Sequence, residues 1–225
     1  MKGNSKVIQA VFDLSLIHIY IFDFEKNESI HSVLLPEHLA KRFVDYCKQT
    51  NRVYYVLTLD DVYIMDTVWD ESYPDRLMPT VMQSCPELTW HTIDENFQPD
   101  GLKIVKCIIP WLPPEELKVV QRELNYDDAI EISYSGLNFA DFNAKGIHKG
   151  SSLSWLSKRY CFSVDNTIAM GDNTNDISML DIAGWPVAPE NASEEVKAHA
   201  KFITSRHTES PLTHAVEALF PEYLD

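Results

Sequence analysis

The amino-acid sequence predicts an α/β fold made of two parts, and two patterns indicate it. From Ile21 onwards, short β-rich runs alternate with amphipathic helical stretches, which is typical of layered α/β architecture. After Gly146 the alternation of helix and strand becomes strict. Such a succession predicts parallel strands covered by helices, with ligand sites at the carboxyl ends of the strands.

The first part opens with a predicted helix and a hairpin. Residues 36–50 predict a helix, because a proline opens the segment and apolar side chains recur along one face. Residues 53–59 and 62–65 predict two strands. The turn dipeptide Asp60-Asp61 lies between them, so a hairpin is the simplest arrangement.

The rest of this part predicts strands of antiparallel character and one more helix. Residues 67–101 are rich in Pro, Asp and Glu with little periodicity, so they predict mostly loop, with a short helix near residues 77–85. Residues 102–109 predict a strand that a proline ends. A Pro-Pro pair then opens a predicted helix at residues 113–124. The last predicted elements of this part are strands at residues 129–134 and 137–142.

The second part predicts short elements around one polar loop. In chain order they are a helix at residues 150–160, a strand at 167–170, the loop at 171–175, a helix at 176–183, a strand at 185–188, a helix at 194–200, a strand at 202–204 and a closing helix at 211–220. Asn191 is followed by Glu194 three residues later, which resembles a capping box at the start of the third of these helices.

Charge and composition narrow the class of partner. The 225 residues include 19 Lys plus Arg and 34 Asp plus Glu, so the formal net charge is -15. A chain this acidic repels phosphate backbones and anionic lipid surfaces, so neither nucleic acid nor a membrane is an expected partner. With 45% hydrophobic residues the chain can form one large core or two modest ones, and we expect a monomer or a weak homodimer.

A cytoplasmic location is expected from the cysteines and from the first residues. The four cysteines are scattered without a Cys-x-x-Cys pair, so the sequence predicts neither a zinc site nor a disulfide framework. An apolar run follows Lys6, but Asp13 interrupts it and no small-residue cleavage site follows. Residues 1–22 therefore do not match a secretory signal.

The loop Gly-Asp-Asn-Thr-Asn-Asp at residues 171–176 carries the strongest chemical signal. Asp172 follows a predicted strand, and Asp176 falls in the first turn of a predicted helix, whose N–H groups suit a phosphate oxygen. Carboxylates are hard oxygen ligands that suit Mg²⁺. An ordinary turn is the alternative, because Asp and Asn also favour loops and N-caps. A calcium EF-hand loop fits less well, since the ligand alternation fails at Thr174.

Two residues elsewhere fit the same chemistry. Lys149 lies at the start of the helix before the strand, where its ammonium would neutralise charge on a phosphoryl group, although most lysines are simply solvated. Asp13 ends an apolar run at residues 7–12 that predicts a short strand. A carboxylate at a strand tip can act as a nucleophile and form an acyl phosphate. Taken alone, Asp13 is more simply interpreted as a residue that caps the strand.

Four segments of the second part form a recognisable series. They are Lys149-Gly150, Ile168–Asp176, Met179–Gly184 and Asn191–Val196. Together with the strand that ends at Asp13, they resemble the haloacid dehalogenase-like superfamily, and most of all its Cof-type sugar-phosphate phosphatases. The resemblance covers nearly the whole chain from Tyr20 onwards. It implies a Rossmann-like parallel-sheet core, incomplete here, at residues 1–13 and 144–225, with an inserted α/β cap domain at residues 21–143.

The resemblance also implies a role for each site residue. Asp13 would be the nucleophile and, with Asp172, a ligand of Mg²⁺. Asp176 would be either a metal ligand or a carboxylate that supports the ligands. Lys149 would be the catalytic lysine and would bind phosphate together with Asn175. The implied activity is Mg²⁺-dependent hydrolysis of a small phosphorylated metabolite, such as a sugar phosphate, through an aspartyl phosphate.

The chain departs from the family pattern between Asp13 and the cap. Two positions after the nucleophile the family has a second aspartate, the general acid and base, and this chain has Ser15, which is unsuited to that proton transfer. The stretch Leu14–Ile19 resembles a translated sequencing adapter, so we interpret residues 14–20 as a junction artefact that is not part of the fold. We therefore expect impaired hydrolysis. The alternative is a catalytically inactive protein that binds a metabolite or a partner.

Overall fold

The computed structural model describes residues 20–23, 28–65, 88–135 and 139–221. In chain order its strands are β1 (Tyr20–Asp23), β2 (Glu28–Ser32), β3 (Tyr55–Leu57), β4 (Asp61–Met65), β5 (Thr89–Ile93), β6 (Lys106–Ile109), β7 (Ile130–Ser135), β8 (Phe139–Ala144), β9 (Ile168–Met170), β10 (Trp185–Pro189) and β11 (Phe202–Thr204). The α-helices are α1 (Glu37–Gln49), α2 (Pro114–Leu124), α3 (Lys149–Tyr160), α4 (Ile177–Leu180), α5 (Glu194–Lys197) and α6 (Pro211–Leu219). None of the helices in these ranges is long and apolar enough to cross a membrane.

The larger sheet has six strands in the order β5-β4-β3-β6-β8-β7. Its neighbouring strands are antiparallel, except that β4 and β5 run parallel. Helices α1 and α2 each bury an apolar stripe, and these stripes share one cluster with the strands; its largest members include Phe43, Tyr54, Ile109, Leu124 and Phe142. Burying side chains of this size stabilises the fold by roughly 1.5–3 kcal/mol each. The predicted antiparallel character of this part is confirmed.

The second sheet consists of three parallel strands in the order β11-β10-β9. Its core is small and rich in alanine, because the short strands and helices pack closely; Leu153, Ala169, Leu180, Ala188 and Val196 are among its members. Among the described residues β9 pairs only with β10, so its other edge carries no partner strand there. The parallel strands predicted after Gly146 are confirmed.

Strands β1 and β2 form a separate antiparallel hairpin. The ring of His31 on β2 stacks on Trp155 of α3, with 4.4 Å between the ring centroids. The hairpin therefore contacts a helix of the predicted core, although residue 21 is the predicted start of the cap domain. The domain boundaries stay predictions.

The segment at residues 67–101 differs most from its prediction. It is not all loop, because Thr89–Ile93 forms the edge strand β5, of which only Ile93 is buried. An edge strand with one buried side chain has too weak an apolar alternation to be found from the sequence. The helix predicted near residues 77–85 lies outside the described residues.

The helix predicted at residues 194–200 is shorter than expected and has a different N-cap. The side chain of Ser193 accepts a hydrogen bond from the N–H of Val196 at 3.4 Å. Asn191, the predicted cap, instead accepts from the N–H of His207 at 2.9 Å. Both residue types suit an N-cap, so the spacing alone selected the wrong one.

Candidate active site

The polar loop after β9 is organised around the carboxylate of Asp176. The loop leaves the carboxyl end of β9, passes through a 3-10 turn at Thr174–Asp176 and continues into α4. The helix predicted at residues 176–183 is therefore shorter than expected, because α4 extends only from Ile177 to Leu180. Oδ2 of Asp176 accepts hydrogen bonds from the main-chain N–H groups of Asp172 and Asn173, each at 3.0 Å. Asp176 is only 3% exposed, so loss of these bonds would leave a buried carboxylate oxygen unpaired. The bonds therefore stabilise this conformation of the loop.

Lys149 provides the charge that balances Asp176. Its Nζ donates to Oδ1 of Asp176, although the two residues are 27 positions apart in the sequence. Lys149 is the first residue of α3, and the side chain of the N-cap residue His148 accepts from the N–H of Ser151 at 3.2 Å. The Lys149 side chain is 21% exposed and that of Asp176 is 5% exposed, so the pair attracts more strongly than a pair in bulk water.

Two glycines make this close packing possible. A Cβ atom on Gly171 would lie 2.2 Å from the Cβ of Asp176, and one on Gly150 would lie 2.2 Å from the carbonyl oxygen of Ser178. The N–H of Gly150 also donates to the Ser178 hydroxyl at 3.1 Å. These contacts hold the start of α3 against α4. Sequence reasoning missed Ser178, and its position in the first turn of the helix next to the loop was the available signal.

Asp172 and Asn175 present polar groups from the same loop. Asp172 is exposed, and its Oδ1 accepts from the side-chain amide of Asn173 at 3.1 Å. Oδ1 of Asn175 is buried and has no hydrogen-bond partner. A buried acceptor without a partner costs about 1–3 kcal/mol, so this oxygen fits a group that arrives with a ligand.

The oxygen donors of the loop fit Mg²⁺, although the described residues hold only part of the predicted ligand set. The carboxylate of Asp172 and the amide oxygen of Asn175 are both hard ligands of the kind that Mg²⁺ binds. Both oxygens of Asp176 already accept hydrogen bonds, which favours a supporting role over direct ligation. No group of three His, Cys, Asp or Glu in the described ranges could hold a metal ion. Asp13, the third predicted ligand, lies outside those ranges, as does Ser15.

The loop also contacts the larger sheet. The hydroxyl of Thr174 donates to the main-chain carbonyl of Tyr134 on β7 at 2.9 Å. The hydroxyl of Tyr134 donates to the carbonyl of Leu112, which ties β7 to the turn before α2. The six-stranded sheet therefore borders the loop that carries Asp172. No sequence pattern indicated this contact, because its two residues are 40 positions apart.

Comparison with known proteins identifies the family. The family model of the haloacid dehalogenase-like hydrolases matches residues 18–216. The chain belongs to the haloacid dehalogenase-like hydrolases. The predicted resemblance is thereby confirmed, and relatives named as phosphatases are among the proteins that resemble the chain.

Two curated relatives show the range of similarity. The 5-amino-6-(5-phospho-D-ribitylamino)uracil phosphatase YcsE of Bacillus subtilis (strain 168) is 36% identical over 97 residues, which cover 43% of this chain and 39% of that protein. Pyridoxal phosphate phosphatase YbhA of Escherichia coli (strain K12) is 23% identical over 198 residues, which cover 84% of this chain and 70% of that protein. The chain thus spans about two fifths of the length of YcsE.

Solved structures of haloacid dehalogenase-like hydrolases share the fold. The HAD subclass IIB sugar phosphatase BT4131 superposes with a TM-score of 0.70 at 22% identity, over 89% of this chain and 72% of that chain. A haloacid dehalogenase-like hydrolase of B. subtilis superposes with a TM-score of 0.72 at 19% identity, over 90% of this chain and 76% of that chain. These superpositions confirm the predicted α/β fold, a Rossmann-like parallel core with a second α/β part.

Proposed function

We propose that this chain binds small phosphomonoesters together with Mg²⁺ at the loop of residues 171–176, and that it hydrolyses them slowly. The observation that carries the proposal is the contact between Lys149 and Asp176. That contact fixes an ammonium group beside a loop whose Asp172 carboxylate faces solvent. A fixed cation next to a hard anionic ligand suits a phosphoryl group bound with a divalent cation.

The open edge of β9 supports a nucleophile at Asp13. Within the described part of the chain, β9 has a partner strand on one side only. The strand predicted at residues 7–12 would fill the other side if it ran parallel to β9. Parallel strands end at the same edge of a sheet, so Asp13 would then lie beside Asp172.

The proposed reaction uses the side chains of this chain in two steps. In the first step a carboxylate oxygen of Asp13 attacks phosphorus in line, a P–O bond forms, and the P–O bond to the leaving oxygen breaks. In the second step water attacks the aspartyl phosphate, which releases phosphate and restores the carboxylate. Lys149 and Asn175 would hold the phosphoryl oxygens throughout. Bound Mg²⁺ would offset the negative charges of the carboxylates and the phosphoryl group.

The leaving oxygen needs a proton in the first step, and water must lose one in the second. An aspartate with a suitably tuned pKa can do both, whereas Ser15 can do neither, and general acid and base catalysis contributes about 10²–10⁴-fold. We therefore propose slow turnover. The presence of Ser15 also favours a second candidate function, in which the protein binds a phosphorylated metabolite without hydrolysing it.

Hydrolysis of an alkyl phosphate by the full chain, with and without Mg²⁺, tests the proposal. We expect slow, Mg²⁺-dependent release of phosphate that Asp13→Asn abolishes and that Ser15→Asp accelerates by about 10²-fold or more. Release of phosphate that survives Asp13→Asn would refute the covalent route. Calorimetry with sugar phosphates separates the second candidate: binding without turnover in both the unmodified chain and Ser15→Asp would favour it.

A further inference from the structure

A groove runs between helix α2 and strand β7, which is the last strand at one edge of the larger sheet. Its volume is about 510 Å³, which is within the range of pockets that hold small ligands. Lys118, Gln121 and Arg122 of α2 line one side, and Ile130, Glu131 and Ile132 of β7 line the other. We call it the edge groove. Lys149 and residues 171–176 are not among the residues that line it.

The outer edge of β7 is already hydrogen-bonded near both ends. The N–H of Ile130 donates to Oδ1 of Asn125, and the carbonyl of Ile130 accepts from Nδ2 of Asn125, each at 2.8 Å. The carbonyl of Tyr134 accepts from the hydroxyl of Thr174 at 2.9 Å. These main-chain groups of Ile130 and Tyr134 therefore point away from the neighbouring strand β8.

Ile132 lies between these two residues and has the same main-chain orientation. In an antiparallel pair, residues that exchange both main-chain hydrogen bonds alternate with residues that exchange none. The register pairs Ile130 with Ala144 and Ile132 with Phe142, so Ile132 also directs its N–H and its carbonyl away from β8. No residue in the described part of the chain hydrogen-bonds to either group. One main-chain donor and one main-chain acceptor thus remain available at the edge groove.

The helical side of the edge groove supplies positive charge without a matching anion. Lys118 and Arg122 are exposed and are one turn apart on the same face of α2. Lys118 has no ion-pair partner in the ranges that the structure describes, and Arg122 contacts only its exposed neighbour Glu123, at 3.6 Å. Lys145 also lines the groove, but its ammonium lies 2.8 Å from the carboxylate of Asp128. The two cations of α2 favour an anionic ligand, although the net charge of the chain is -15.

We infer that the edge groove binds a small N-acylated acidic amino acid. The N–H of the ligand would donate to the carbonyl of Ile132, and its α-carboxylate would accept from the N–H of Ile132. A residue of an added strand pairs through the same two hydrogen bonds. The side-chain carboxylate would bind Lys118 and Arg122. A longer peptide does not fit, because Asn125 and Thr174 already bond the main chain on either side of Ile132. This site is independent of the proposed hydrolysis.

Calorimetry on the full chain tests the charge of the ligand with two probes, N-acetyl-L-glutamate and N-acetyl-L-glutamine. We expect the glutamate derivative to bind at least about fivefold more tightly, and Lys118→Met or Arg122→Met to remove that difference. Lys41→Met is the control, because Lys41 lies 3.7 Å from Asp100 and does not line the groove. It should leave binding unchanged. Equal binding of the two probes, or no binding of N-acetyl-L-glutamate, would overturn the inference.

The main-chain part of the site has its own test. Ile132→Pro removes an N–H that makes no bond to β8, so it should abolish the binding of N-acetyl-L-glutamate. Ser133→Pro removes an N–H of the ladder and should lower the unfolding midpoint further than Ile132→Pro does. Hydrogen exchange of the unmodified chain needs no folded variant. N-acetyl-L-glutamate should slow exchange of the Ile132 amide and leave that of Ser133 unchanged. An Ile132 amide whose exchange the ligand does not slow would overturn the inference.

Discussion

The carboxylate of Asp176 binds the ammonium of Lys149 through one oxygen, and through the other it binds two main-chain N–H groups of its own loop. A single side chain therefore joins the start of α3 to the turn that follows β9. The arrangement depends on the ammonium, because its removal leaves the nearly buried carboxylate of Asp176 with the two N–H donors but without a cation.

The substitution Lys149→Met tests that dependence. It should lower the free energy of unfolding by about 1–3 kcal/mol, because the Asp176 carboxylate stays nearly buried without its cation. It should also weaken orthophosphate binding by about tenfold or more. Urea unfolding and calorimetry measure the two effects. The control is Lys145→Met, whose ammonium is 2.8 Å from Asp128 at the surface and whose loss should change stability by less than about 1 kcal/mol. Equal effects of the two substitutions would contradict the prediction.

The substitution Gly171→Ala should disturb the site through a collision with Asp176. Overpacking of this kind costs about 1–3 kcal/mol, and we expect phosphate binding in the presence of Mg²⁺ to be lost with it. Gly101→Ala is the control, since Gly101 has a φ of +74° with nothing within 4 Å of a new Cβ. It should cost about 1–2 kcal/mol through backbone strain alone and leave binding intact. Binding that survives in both variants would refute the proposed role of the loop geometry.

The substitution Thr174→Val should loosen the contact between the loop and β7. It removes the donor to the Tyr134 carbonyl, while stability should stay within about 1 kcal/mol of the unmodified chain. Hydrogen exchange of the amides in residues 130–135 should become faster. The control is Thr167→Val, which removes a hydroxyl that donates to the main-chain carbonyl of Ser163 at 3.3 Å. It should leave the exchange of residues 130–135 unchanged. Identical exchange in all three proteins would contradict the prediction.

The buried ion pair of Lys106 and Asp141 on the larger sheet should show strong energetic coupling between its two side chains. Lys106→Met should lower the free energy of unfolding by about 3–5 kcal/mol, because it leaves the Asp141 carboxylate buried without its cation. Addition of Asp141→Leu should restore at least half of that loss, since the double variant removes both charges of the pair. Denaturant unfolding of the four proteins in the double-mutant cycle gives the coupling energy. A double variant as unstable as Lys106→Met would argue against the pair.

Thiol reactivity should follow burial. Burial raises the pKa of the Cys47 and Cys107 thiols, so at pH 8 a smaller fraction of each is the reactive thiolate, and both are enclosed. Cys161 is exposed. A thiol reagent at pH 8 should therefore label Cys161 in the folded chain and reach the two buried thiols only after unfolding. Peptide mapping assigns each label, and labelling of Cys107 as fast as Cys161 would contradict the prediction.

The sequence predicted those features whose signals lie close together along the chain. The helix at residues 36–50 has a proline at its start and an apolar stripe, and it is present as α1. Lys149 was predicted as a site residue from its position at a helix start, and Asp176 from the composition of its loop. The two side chains are in contact. The edge strand β5 was missed, because an exposed strand carries little apolar alternation.

The contacts of Thr174 with Tyr134 and of Lys106 with Asp141 could not be predicted from one sequence. The hydrogen bond from Thr174 to Tyr134 joins two residue types that are common on any surface. The pairing of Lys106 with Asp141 depends on the register of β6 and β8, which is set by the packing of both strands against α1 and α2. Tertiary packing decided these features, and local propensity did not.

The hydrogen bonds around Asp176 and Ser178 all lie between His148 and Val187, and one threonine hydroxyl connects them to the larger sheet. These residues thereby form one hydrogen-bonded unit around the turn after β9. Substitutions in the larger sheet that leave Thr174 and Tyr134 in place should therefore not displace the ammonium of Lys149 or the carboxylate of Asp176. The larger sheet can be redesigned while the turn after β9 is kept.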